Sequence, residues 1–239
     1  LAIAFSAGTR RQCEAQPEAR HAFRAPCDHR RSTLPRIIAM NDRIPALRAL
    51  YAAPTERSRR KEIRRLDQHC RRFIALSPFV VLASADEANR CDASPRGGDP
   101  GFVKVVDDTT LLIPDAPGNN RLDTLQNIQA SGRIGLLFLV PGVDETLRVN
   151  GRARVSADAE HIRLCTNERR APKVVIEVQA EEVYLHCAKA LMRSNLWNDA
   201  NRIARSALPT MGQMLADQTG LNLSAETQEQ MVARYQKDL

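Results

Sequence analysis

The sequence predicts a mainly β domain, a small barrel with one inserted helix and further helices at its periphery. Three observations carry this. Phe79 to Ala83 and Ile134 to Val140 are apolar runs of strand length. Thr146 to Ser156 alternates, with Leu147, Val149, Gly151, Ala153 and Val155 on one face and Arg148, Asn150, Arg152 and Arg154 on the other. Helical spacing is confined to stretches outside these runs and to one stretch between them, which suits a barrel better than an α/β sandwich.

Taken in order, Ile44 to Tyr51 reads as a short helix. Thr55 then caps a longer one, with Ile63, Leu66, Cys70, Phe73 and Ile74 on its apolar face and Pro78 as its stop. Phe102 to Val106 and Thr110 to Ile113 form a hairpin around Asp107-Asp108. Arg121 to Ala130 is the inserted helix, through Leu122, Leu125 and Ile128. Pro141-Gly142 is a turn, and Gly151 marks a bulge, because the alternation runs straight through it. Asp158 to Cys165 is a short helix, Lys173 to Ala180 a strand, and His186 to Leu196 a helix. Leu208 to Leu215 and Ser224 to Tyr235 are terminal helices.

Charge narrows the function classes. The net charge of +7 is uneven: residues 1–39 hold seven Arg against Glu14, Glu18 and Asp28, and Thr55 to Leu76 holds eight Arg or Lys against three acids. The barrel region is mildly acidic, so a nucleic-acid role for the domain is disfavoured and the basic helix face reads as solvated. No apolar run reaches the roughly 18 residues that span a bilayer. Six cysteines lack any Cys-x-x-Cys pair, which points to reduced thiols in a cytoplasmic protein and to no metal site. The chain opens on Leu1, and residues 1–39 lack periodicity, so a product beginning at Met40 is expected in preference to an Arg-rich targeting peptide. The expected layout is an extension over 1–39, a helical segment over 40–76, the barrel over 77–200 and a helical segment over 201–239.

The chemistry concentrates between Ser94 and Arg121. Ser94-Pro95-Arg96-Gly97-Gly98, Gly101-Phe102-Val103-Lys104, Ile113-Pro114-Asp115 and Gly118-Asn119-Asn120-Arg121 read as small basic or amide-rich turns between short β runs. Arg96 and Arg121 are forked donors suited to a phosphate, with glycines beside them that admit backbone N–H groups to the same anion. The spacing fits neither a P-loop nor a dinucleotide fingerprint. Together with Leu147-Arg148-Val149-Asn150-Gly151, these motifs resemble the FMN-binding split barrels related to pyridoxamine 5′-phosphate oxidase, over about residues 55–200.

The resemblance implies a split β-barrel that binds FMN as a homodimer, each site shared between subunits. It implies that Asn119, Asn120 and Arg121, at the start of the inserted helix, hold the phosphate with Lys104 and Arg96, near Ser94. It implies that backbone groups of Phe102, Val103, Ile113, Pro114 and Asp115 line the flavin ring, with Gln126 and Asn127 as polar contacts. Arg193 and Trp197 are the expected wall from the second subunit; a purely structural Trp197 is the alternative. The Arg-x-His that the family's vitamin B6 oxidases carry near the carboxy end is absent after Trp197, which argues against that substrate. Two functions follow: a flavin-dependent oxidoreductase acting on a small molecule, or a non-catalytic flavin carrier. A deazaflavin in place of FMN, and a nucleic-acid adaptor using the basic helix, stay open as further alternatives.

Overall fold

The computed structural model describes residues 47–167, 170–221 and 226–237, and the chain divides into two units, Leu1–Ala53 and Pro54–Leu239. In the first unit only 47–53 are described, helical at 47–49; residues 1–46, including the expected extension, lie outside the described residues. The second unit carries α1 (Glu56–Arg60), α2 (Gln68–Leu76), β1 (Phe79–Ala85), β2 (Cys91–Gly97), β3 (Lys104–Val105), β4 (Thr110–Pro114) and α3 (Asp123–Ser131). There follow β5 (Arg133–Leu139), β6 (Thr146–Ser156), α4 (Ala159–Cys165), β7 (Val175–His186), α5 (Lys189–Ser194), two 3-10 turns, α6 (Met211–Thr219) and α7 (Gln228–Tyr235).

The seven strands form one antiparallel sheet in the order β2-β1-β5-β6-β7-β4-β3. Its inner face packs Val80, Leu82, Leu136, Phe138, Leu147, Val149, Ile176 and Val178 into one core, which α2 closes with Cys70 and Ile74 and α3 with Leu125 and Ile128. At the β4–β7 end both faces are covered. There Leu112 and Val175 turn away from the main core and pack with Cys165 of α4. A run as apolar as Leu111–Ile113 is what burial on both faces demands.

Several expectations needed correction. The single helix expected from Thr55 is two, because the chain between them pairs with the barrel: Ile63 and Val183 exchange backbone hydrogen bonds of 2.9 and 2.8 Å. Thr55 caps α1 and Asp67 caps α2. Ser94 to Gly97 is not a turn but the edge strand β2, a position where Pro95 is tolerated. The Phe102 to Val106 strand shrinks to Lys104–Val105, although the Asp107 turn holds, with Asp107 Oδ1 accepting from the Thr109 and Thr110 N–H groups. Arg121 precedes α3 rather than opening it. β7 runs on through His186, where the spacing predicts the start of a helix.

The bulge falls where Asn150 and Gly151 lie, but its extra residue is on the neighbouring strand. Asn150 pairs with Glu182 and Gly151 with Ala180, leaving Glu181 between them. Gly151 is obligatory there: a β-carbon would stand 2.0 Å from the Gln179 carbonyl oxygen. Among the described residues no helix is long and apolar enough to cross a membrane.

Candidate functional site

Alternation along β2 decides where the site begins. Asp92, Ser94 and Arg96 lie opposite Ser84, Leu82 and Val80, all three buried, so they share the inward face of an edge strand. Arg96 Nη1 donates to Asp115 Oδ1 at 2.9 Å, and the two side chains retain only 18% and 19% of their exposure. Asp92 Oδ2 accepts from Thr124 Oγ1 at 2.8 Å and from Ser84 Oγ at 3.5 Å; Asn127 Nδ2 donates to Ser84 Oγ at 3.0 Å. A polar seam therefore joins β2, the end of β4 and the inserted helix α3 beside an otherwise apolar core. One group in it is left over. The Arg96 Nε–H is buried and has no hydrogen-bond partner among the described residues, a costly state unless something else accepts from it.

The turn before α3 lies next to this seam. Asn119 Oδ1 accepts from the Arg121 backbone N–H at 3.1 Å, an Asx turn. Asn120 and Leu122 both hold left-handed backbone, φ 58° and 61°. A leucine in that region is strained, and Leu122 is half exposed, so no packing compensates. Leu122 is also the N-cap of α3 and supplies no side-chain bond to it. Arg121 Nε donates to Asp123 Oδ2 at 2.7 Å in a pair open to solvent. Asp123, and more weakly Asp92, raise the guanidinium's hold on its proton.

The structure thus brings Ser94, Arg96, Asp115, Asn127 and the turn Asn119-Asn120-Arg121 to one region. Lys104 is not brought to it. It pairs across the strands with Leu112, which faces α4, and its Nζ donates to the Gly101 carbonyl at 2.9 Å. Val103 and Ile113 are core residues, Phe102 packs at the core's margin, and Pro114 ends β4. The Asp115 N–H is occupied by the Val174 carbonyl at 3.1 Å. Gln126 points to solvent. Arg193 is exposed in the last turn of α5, while Trp197 Nε1 donates to the Val143 carbonyl, at 3.0 Å, on the β5–β6 turn of its own chain. Sequence reasoning missed Ser84, Asp92, Asp123 and Thr124. Only the strand phases of β1 and β2 could have revealed Ser84 and Asp92.

No side chain here is an evident nucleophile. Burial pushes the Cys70 thiol up to about 12 and the Cys165 thiol up to about 11, so both stay protonated and inert. Among the described residues no three His, Cys, Asp or Glu side chains converge as a metal would require. What the seam and turn offer is anion and amide recognition: two guanidinium groups, an unpartnered N–H and a helix start without a side-chain cap.

The sequence model of the pyridoxamine 5′-phosphate oxidase family matches residues 66–187, which spans β1 to β7 and the whole seam. The chain belongs to this pyridoxamine 5′-phosphate oxidase-like family, and its seven-stranded antiparallel sheet is the family's split barrel. Similar solved structures include HupZ from Group A Streptococcus, with 17% identity, 51% of this chain and 99% of that chain covered, and a TM-score of 0.43. An FMN-binding protein from Syntrophomonas wolfei has 14% identity over 49% of this chain and 83% of that one, TM-score 0.37. General stress protein 26 from Bacillus anthracis has 14% identity over 49% and 94%, TM-score 0.36. No functionally curated protein matches the chain.

Proposed function

We propose that this chain binds FMN and acts as a flavin-dependent oxidoreductase on a small molecule. The observation that carries the reading is the buried, unpartnered Arg96 Nε–H in a seam that otherwise satisfies its polar groups. Such a donor calls for an acceptor from outside the chain, and a flavin with a 5′-phosphate offers several. Arg121, Asn119, Asn120 and the first N–H groups of α3 would hold the phosphate. Arg96, fixed by Asp115, would orient the rest of the molecule. When bound, the flavin supplies the hydride or electron chemistry; the chain contributes binding, orientation and shelter from water. Support for FMN over FAD comes from the single compact phosphate turn, with no second pyrophosphate turn among the described residues. Purified protein reconstituted with flavin should turn yellow and release FMN on denaturation, identified by mass. Recovery of FAD or of a deazaflavin, or no retained chromophore, overturns the assignment.

Pairing of two copies extends the proposal. Pro95, Val81, Leu137, Arg148 and Tyr184 lie directly opposite one another across five strands on the outer face of the sheet. Phe79 and Leu137 on that face are more than a third exposed, as a surface awaiting a partner would be. A homodimer by light scattering is expected, and a monomer that retains FMN would count against shared sites. Sustained oxidation of a reduced nicotinamide with an added acceptor supports catalysis, whereas tight flavin without turnover favours the carrier reading.

A further inference from the structure

We propose that Asp123 sets how strongly this chain holds a flavin phosphate, by keeping the Arg121 guanidinium closed on its own carboxylate until a phosphate displaces it. The identity of the anion rests on the flavin reading above; the competition itself rests on the residues.

Charge around the site is the starting point. Its two cations, Arg96 and Arg121, are each already paired, with Asp115 and Asp123, and Asp92 adds a third carboxylate. A phosphate monoester with nearly two negative charges finds both of these cations already paired. One of the two pairs must open, and they are unequal. Arg96 and Asp115 are shielded from water, so separating them strands charge in a poorly solvated place. Arg121 and Asp123 remain 71% and 45% exposed, and a solvent-exposed pair opens at little cost.

Sequence spacing makes this opening local. Arg121 and Asp123 flank Leu122, whose left-handed backbone sets the two side chains against each other before the helix begins. Asp123 is the first residue of α3, so its carboxylate also stands beside the N–H groups that no side chain caps. On the Arg121 guanidinium the carboxylate therefore occupies, from within, a place that a phosphate would take from outside. Entry of the phosphate is an exchange of anions on Arg121, and Asp123 turns to water. Asp123 acts through Arg121 and is a positioning residue. Its consequence is a flavin held exchangeably rather than permanently.

The test uses the full chain, with FMN and riboflavin titrated in parallel and melting temperature recorded for each variant. Asp123→Asn should tighten FMN by about tenfold, from the loss of the competing pair and of a nearby negative charge. Riboflavin affinity should not move. In the Arg121→Ala background the same substitution should lose most of its effect. Asp123→Ser provides a second variant with the charge removed. Unchanged or weaker FMN binding in both variants overturns the proposal, as does a gain that survives whole without Arg121 or that riboflavin shares. Should neither flavin bind any variant, the flavin reading fails separately. Inorganic phosphate followed by phosphorus NMR then decides: tighter phosphate in Asp123→Asn upholds the competition, and no change ends it.

Discussion

Helices α2 and α3 are each nine residues long, and each presses a buried face onto the same core, yet they begin in opposite ways. α2 opens on Asp67, whose Oδ1 accepts from the Cys70 N–H at 2.9 Å. That bond holds the Asp67 carboxyl below the usual carboxylate range. α3 opens on a strained leucine with no side-chain cap, beside two arginines and a seam of polar groups. A start that is satisfied from within closes the fold. A start left open at a cost in strain sets α3 apart: α1, α4, α6 and α7 are capped by side chains, and the short α5, also without a side-chain cap, begins on unstrained right-handed backbone at Ala188.

The largest expected effect lies in the seam behind α3. Arg96→Ala leaves Asp115 shielded and unpaired, and should cost about 2–4 kcal/mol in chemical denaturation. It should weaken FMN and riboflavin alike, and Asp115→Ala added to it should restore part of the stability. Next comes Arg121→Ala at the open helix start. Loss of a charge-assisted bond worth about 1.5–3 kcal/mol should lower FMN affinity on the order of ten- to a hundredfold, with riboflavin and melting temperature nearly unchanged. Equal losses for both ligands would make Arg121 structural and erase the contrast between the helices.

At the closed start the pattern should invert. Asp67→Ala should cost about 1 kcal/mol of stability with no effect on flavin. Because the folded carboxyl is lowered, its contribution is present above the ordinary carboxylate pKa and is lost as pH falls through the folded value. Urea midpoints of wild type and Asp67→Asn should therefore draw together progressively as pH falls below about 4. The smallest effect is Leu122→Gly, which relieves left-handed strain at an exposed position and should change stability by only about 0.5 kcal/mol, in the stabilising direction. A clear destabilisation would mean that the Leu122 side chain, not the turn, holds α3 in place.

How much of this was legible depends on the kind of pattern that carries it. β5 was readable as an apolar run of strand length, and β6 because one face is apolar and the other is not, so the period of two survives in its letters. β2 was not. Cys-Asp-Ala-Ser-Pro-Arg-Gly has polar residues on its inward face, and those are the residues of the seam. The same inversion that makes the strand useful hides it from a hydrophobic pattern. Arg96 and Arg121 stood out from residue type alone as forked donors suited to an anion, but their pairing with Asp115 and Asp123 required the fold. Lys104 shows the limit of motif order: its neighbour Val103 faces the main core, and one residue's step in a strand carries Lys104 to the α4 side.

The exchange of hydrogen bonds between Ile63 and Val183 has a bearing on how the chain assembles. Lys61 reaches the Leu185 carbonyl across 124 residues of sequence, so the first part of the barrel to leave the ribosome is tied to the last strand to arrive. Until β7 emerges, the stretch between α1 and α2 has no edge to pair with, and Leu66 has no completed wall to fill. Closure of this long loop is an entropic barrier paid late. Refolding of the isolated chain should be slow compared with helical proteins of its size, with its nascent form exposed to aggregation until the final strand locks the beginning in place.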